Sequence, residues 1–176
     1  MLAAGHALTL DLFPNFRGLP EFPESAPTFA ENAAGKAIYY SQHTNQMVMA
    51  DDSGLAVDAL DGAPGVLSAR YGGPSASDEQ KNAKLLQELQ GKRDLERAAR
   101  FVCVIAVALR GRIRAVVSGQ AEGIILEERR GGGGFGYDPV FYFPFLGKTF
   151  AELTAEEKNL HSHRGKAFRR MMEVLE

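Results

Sequence analysis

The chain has 176 residues, a formal net charge of −2, 45% apolar and 24% charged residues, and one cysteine. One domain of this size buries roughly 70% of the surface its unfolded chain exposes, and so small a net charge excludes a broad basic surface for nucleic acid or anionic membrane. A lone cysteine excludes an internal disulfide framework, and no apolar stretch approaches the ~20 residues of a membrane span. With no basic segment leading into an apolar signal core at the start, the expectation is a cytoplasmic protein.

The first 27 residues carry prolines at 14, 20, 23 and 27 and no clean periodicity, so a short strand followed by a loop is expected there. Thr28-Phe29-Ala30-Glu31 has capping-box spacing, with Thr28 as cap and Glu31 able to reach back to the cap amide. A helix is therefore predicted to about Gln42, carrying Lys36. Gln46 to Ala50 reads as a buried strand that ends where Asp51-Asp52-Ser53-Gly54 begins, a strand-to-loop edge of the kind where α/β sheets hold ligands. A loop at Gly62-Ala63-Pro64-Gly65 leads to a second helix, Ser77 to Gln90, again with a cap-like Ser77 and Gln80 three residues on. Arg100 to Leu109 is a strand, turned by Arg110-Gly111 into Arg112 to Ser118 and continuing to Leu126 as a long, bent antiparallel ribbon. Cys103 lies in its apolar run and is expected to be a buried structural thiol. The glycines at 131 to 134 interrupt any regular element, Val140 to Phe143 is a short strand, and a last helix is predicted from just after Thr154, with Glu157 three residues on, to near Leu175. No repeat or long linker divides residues 1–176, and the order of elements is mixed α/β.

Four groups of residues carry chemistry. Asp51 and Asp52 would point to opposite faces of a continuous strand and could serve one ligand only if the chain turned there. Turn formation with Ser53 and Gly54 explains them equally well; a magnesium ion, which shares one or two carboxylates with substrate phosphates, is the functional alternative. Glu24 and Glu31 are candidate partners, although Glu31 already has a capping role. In Arg129 to Pro139, "RRGGGGFGYDP", the glycines lack the terminal Gly-Lys-Ser/Thr of a Walker loop, but Phe135 could stack on a base and Asp138 could accept hydrogen bonds from its edge. In Glu156 to Arg170, "EEKNLHSHRGKAFRR", an unbroken helix would place Lys158, His161 and Gly165 on one side, whereas a tight turn at Ser162-His163-Arg164-Gly165 would gather Lys158, His163 and Arg164 at one mouth, suited to phosphate oxygens.

The stretches "TFAENAAGKA", "ADDSGLAVDALDGAPGVLSARYGG", "GGFGYDPVF" and "AELTAEEKNLHSHRGKA" occur together, in this order, from about Leu19 onward. In order and spacing they resemble the inosine triphosphate pyrophosphatase family, house-cleaning enzymes that act on deaminated purine nucleoside triphosphates. The resemblance implies a two-lobed α/β fold with a long mixed, twisted sheet flanked by helices. It also implies hydrolysis of ITP, dITP or XTP to the monophosphate and pyrophosphate, a Mg2+ cofactor and a homodimer, with no nucleic-acid or membrane partner. It makes Asp52 the catalytic base and a metal ligand, with Asp51 supporting it, and Glu24 the second metal ligand. Lys36 and Ser53 become phosphate contacts. Phe135, Gly136, Tyr137 and Asp138, with Lys158, His163 and Arg164, become the nucleotide-binding set that stacks on the purine and reads its 6-oxo group. Family members open with a strand and a Thr/Ser-x-Asn-x-x-Lys motif that binds triphosphate, whereas this sequence opens "MLAAGHALTLDLFPNFRG", beyond that point. A late start at an internal methionine or a truncated relative is the expectation, with weakened turnover or nucleotide binding alone as the alternative activity. A Maf-like pyrophosphatase for modified pyrimidine nucleotides fits less well, because Phe-Gly-Tyr-Asp and Ser-His-Arg match the purine family.

Overall fold

The computed structural model describes residues 9–13 and 16–176. In its chain order α1 is Phe29–Ser41, β1 Val48–Val57, α2 Asp78–Glu88, β2 Ala98–Leu109, β3 Arg112–Ile125, β4 Phe141–Phe143, β5 Lys148–Thr149, α3 Ala155–His161 and α4 His163–Leu175. The short strand expected in the first 27 residues falls partly outside the described residues; the described part holds one 3-10 turn, Phe16–Gly18, and no strand.

The five strands form one sheet in sequential order, β1-β2-β3-β4-β5, and every pairing among the described residues is antiparallel. This follows from the hairpin chemistry. Arg110 and Gly111 both take positive φ, 50° and 74°, the two-residue turn that matches the strand twist and returns β2 directly into β3. β2 is buried on both faces, which is why it reads as a continuous apolar run rather than an alternation. On one face Val104, Ala106 and Ala108 pack with Ala33 and Ala37 of α1. On the other, Cys103, Ile105 and Val107 pack with Ala167, Phe168, Met171 and Met172 of α4. A third cluster, at the far end of the ribbon, joins Leu55, Val57 and Phe101 to Leu85 of α2, to Leu89 at its C-terminal cap, and to Phe141 and Phe150. Gly119 on β3 permits the α4 contact, because a Cβ there would meet His163 O at 2.4 Å and Ala167 N at 2.5 Å.

Three expectations need correction. β1 does not end at Ala50: it runs through Asp51-Asp52-Ser53-Gly54 to Val57, paired throughout with β2. The apolar Leu55-Ala56-Val57 beyond the acids carries the strand on into the third cluster. The last helix is two helices, parted at Ser162, whose extended backbone (φ −69°, ψ 158°) ends α3 and whose hydroxyl accepts from Gly165 N to start α4. Glu31 does not reach the cap amide; Thr28 caps α1 by accepting from Glu31 N and donates its hydroxyl to Glu31 Oε2.

Candidate active site

The alternation of β1 separates the two acids. Asp52 lies opposite Val104, on the face that α1 covers, and Asp51 lies opposite Ile105, on the face that α4 covers. Asp51 Oδ2 accepts from Arg164 Nε and Nη2 at 3.2 and 2.9 Å, and Arg164 Nη2 also donates to Ser53 Oγ at 3.0 Å. The two carboxylates therefore do not jointly face one ligand. Asp51 serves as the counter-ion that orients Arg164, and the Asp51 partnership holds the guanidinium above its usual range against the effect of burial. Beneath this pair Cys103 is buried, its thiol pushed up to about 12 by burial and by Asp51, which makes it a structural thiol.

Asp52 is 8% exposed. Its Oδ1 accepts from Ser53 N at 3.0 Å, while Oδ2 is buried with no hydrogen-bond partner among the described residues. Burial raises its pKa above the ordinary carboxylate value; the Asn32 side chain and the Lys36 ammonium oppose the rise, and the charge of Glu24 adds to it. Lys36 Nζ pairs with Glu24 Oε1 at 2.9 Å, so Glu24, Lys36 and Asp52 form one charged group on the α1 side of β1. Glu31 stays outside it, occupied with Thr28. The sequence offered no sign of Asn32, a buried α1 residue that also fixes the Glu24 loop by exchanging hydrogen bonds with Ala26.

On the other face a cleft of about 430 Å3 runs from Ser53 and Gly54 to the loop at 135–138. It gathers the remaining expected residues: Ser53, Phe135, Gly136, Tyr137, Asp138, Lys158, His163 and Arg164. The break at Ser162 is what brings this set together, as the tight-turn reading of the stretch anticipates; His161 goes elsewhere, against Phe143 and Phe145. Phe135 is 64% exposed, with Lys158 Nζ 4.8 Å from its ring centroid. Asp138 is buried; its Oδ2 accepts from Phe135 N at 2.8 Å and pairs with Lys158 Nζ. Gly134 makes room for that carboxylate, since its φ is +72° and a Cβ would lie 2.2 Å from Asp138 Oδ2. The Tyr137 hydroxyl donates to Ser68 O at 2.9 Å, so Tyr137 anchors the loop and its ring belongs to the core.

His163 stacks on Phe101, with centroids 4.7 Å apart and planes 10° apart, and lies parallel to Phe150. Burial, then the charges of Arg164, Lys158 and Lys166, push its pKa down to about 3, so the imidazole is neutral at working pH. Its Nδ1 is buried and unpartnered among the described residues, which leaves a ring nitrogen for a ligand. Phe101, Ser68, Asp78 and Lys81 line the cleft as well. Their sequence signals, an apolar strand residue and ordinary helix-start polar residues, gave no reason to select them.

Ser53 joins the two regions, since it lies in the cleft and next to Asp52 in the strand. A flat, exposed aromatic ring, donor side chains at the cleft's inner end and a carboxylate–lysine group one residue away suit a planar base attached to a phosphate chain.

A model of the Ham1 family matches residues 1–174. A dITP/XTP pyrophosphatase of Desulforamulus reducens is 53% identical over 161 residues, covering 91% of this chain and 80% of that protein. The dITP/XTP pyrophosphatase of Geobacillus kaustophilus is 53% identical over 162 residues, covering 92% and 79%. Among solved structures, a HAM1 protein from Coxiella burnetii superposes with a TM-score of 0.85 at 44% identity, covering 90% of this chain and 81% of that one. Fold and sequence agree over nearly the whole length, and the chain belongs to the Ham1 family.

Proposed function

We propose that the chain hydrolyses deaminated purine nucleoside triphosphates, ITP, dITP and XTP, to the monophosphate and pyrophosphate; the relatives it matches are named dITP/XTP pyrophosphatases. The observation that carries this reading is the shared cleft of Phe135, Lys158, His163 and Arg164, ending at Ser53 beside Asp52. The Phe135 ring stacks on the purine. Lys158 and Arg164 carry only donors, so they suit an oxygen at position 6. A site built on such hydrogen bonds rejects the wrong base by ~10⁴-fold.

Asp52 is the base. It takes a proton from a water that attacks the α-phosphorus; the bond from that phosphorus to the bridging oxygen breaks, and pyrophosphate leaves with that oxygen. Its desolvated carboxylate, raised above the ordinary pKa, is a stronger base than an exposed one. Lys36 neutralises phosphate charge from the same side. Mg2+ fits the donor set: Asp52 Oδ2 is buried and without a partner among the described residues, and Glu24 stands near it, so the ion would take these carboxylates and complete its shell with phosphate and water. Bound there, magnesium would neutralise the phosphates.

A homodimer and a cytoplasmic location belong to the same proposal. Leu95 and Phe145, 82% and 75% exposed, are apolar surface that a second copy could cover, and light scattering tests this. The single buried Cys103 suits a reducing compartment. The activity is tested by measuring pyrophosphate release from ITP, dITP, XTP, ATP and dTTP with magnesium. Turnover of the first three at least about a hundredfold above ATP and dTTP supports the reading; equal rates, or binding without release, contradict it.

A further inference from the structure

The loop from Phe135 to Asp138 is held at each residue, and the hold on Gly136 comes from outside the loop. Asp78 Oδ2 accepts from Gly136 N at 2.6 Å, and Asn82 Nδ2 donates to Gly136 O at 2.8 Å. Both backbone groups of one loop residue are thus taken by side chains one turn apart on α2. Asn82 is wholly buried, and its amide also donates to Asp78 O at 2.6 Å, which ties the two holding residues to each other. Gly136 has a φ of +60°, a conformation that few residues adopt unaided. The neighbouring Phe135 ring is 64% exposed, so packing does little to fix it and the backbone must.

We propose that Asp78 and Asn82 form a clamp that positions the Phe135 ring for stacking on the base: they are positioning residues for base recognition, and neither touches the reacting phosphorus. The proposal rests on the reading of the cleft as a purine site. The clamp stands at the rim of that cleft, where the other oxygen of Asp78 pairs with Lys81 Nζ at 2.6 Å and both residues line the opening. Asp78 is also the first residue of α2, where a negative charge favours the helix terminus. Asp78→Asn separates the two roles, because the amide keeps an oxygen for Gly136 N and loses the charge.

The test is calorimetric binding of IMP and of inorganic tripolyphosphate to the full chain. Asp78→Ala should weaken IMP binding about tenfold, the scale of one misplaced stacking ring, and leave tripolyphosphate within about twofold. Asp78→Asn should restore IMP binding. Should Asp78→Ala fail to fold, Gly136→Ala tests the clamp from the loop: no atom lies within 4 Å of the added methyl, but the residue prefers negative φ, and the same selective loss is expected. Unchanged IMP binding, equal weakening of tripolyphosphate, or failure of the Asn variant to restore binding overturns the clamp. A wild-type chain that binds IMP but releases no pyrophosphate overturns the proposed activity and leaves the clamp standing; one that does not bind IMP removes both.

Discussion

Asp52 lies in a place that disfavours its charge, with one oxygen bonded to Ser53 N and the other without a partner among the described residues. Its folded pKa is raised, so the ionised form opposes folding above the ordinary value of 3.8, and the opposition fades as pH falls toward that value. Asp52→Asn should therefore cut ITP turnover below about a tenth of wild type while, in EDTA at pH 7, leaving Tm equal or raised by roughly 2–4 °C. A variant that keeps its turnover, or melts far lower, would remove Asp52 from this role. His163 has the opposite sign. Its pKa falls to about 3 on folding, so the unfolded chain binds the extra proton and stability declines as pH drops from about 6.5 toward 3. The slope for one group is at most about 1.4 kcal/mol per pH unit. His163→Phe keeps a flat ring beside Phe101 and should flatten the loss of Tm between pH 7 and pH 5; an unchanged slope would mean that other groups set it. The adjacent acids were separable in the sequence only as alternatives, because their meaning depends on whether the chain turns. Two acids, a serine and a glycine look like a turn, yet the apolar Leu55-Ala56-Val57 behind them carries the strand on through them.

At the scale of elements, the capping box of α2 and the β2–β3 hairpin were legible because their signals are local. The break between α3 and α4 was legible only as one of two options, since Lys158 to Arg170 supports a continuous helix by composition. Ser162 decides it by capping the second helix, so Ser162→Ala should cost about 1 kcal/mol of stability. It should also raise KM for ITP, because Lys158 is on one side of the break and His163 and Arg164 are on the other. A stability loss with KM unchanged would show that the break does not set their spacing. The clamp on Gly136 was not legible: Asp78 and Asn82 lie 58 and 54 residues from it in sequence, and as polar helix residues they look ordinary. Phe150, 1% exposed, packs against Phe101, Phe141 and Phe143 in the cluster behind the cleft. Phe150→Ala should destabilise by about 3–5 kcal/mol, measured by urea unfolding, and a loss under about 1 kcal/mol would show that the cluster collapses around the gap.

For the whole molecule, the sheet is a partition. One face of β1 and β2 carries the Asp52, Glu24 and Lys36 group under α1, and the other carries the base cleft under α4, with Ser53 beside both. Residue types and spacing could suggest the members of each set, but only the continuation of β1 through the acids shows that they lie on opposite faces. Under the proposed function this division separates two tasks: the cleft would select the base, and Asp52 beside it would deliver water to the α-phosphorus. The most direct measurement is turnover of ITP and ATP, side by side with magnesium, in ¹⁸O-labelled water. The expected result is one ¹⁸O in IMP, none in pyrophosphate, and ATP turnover at least about a hundredfold slower. Label in pyrophosphate, release of inorganic phosphate with IDP, or equal rates for ITP and ATP would contradict it.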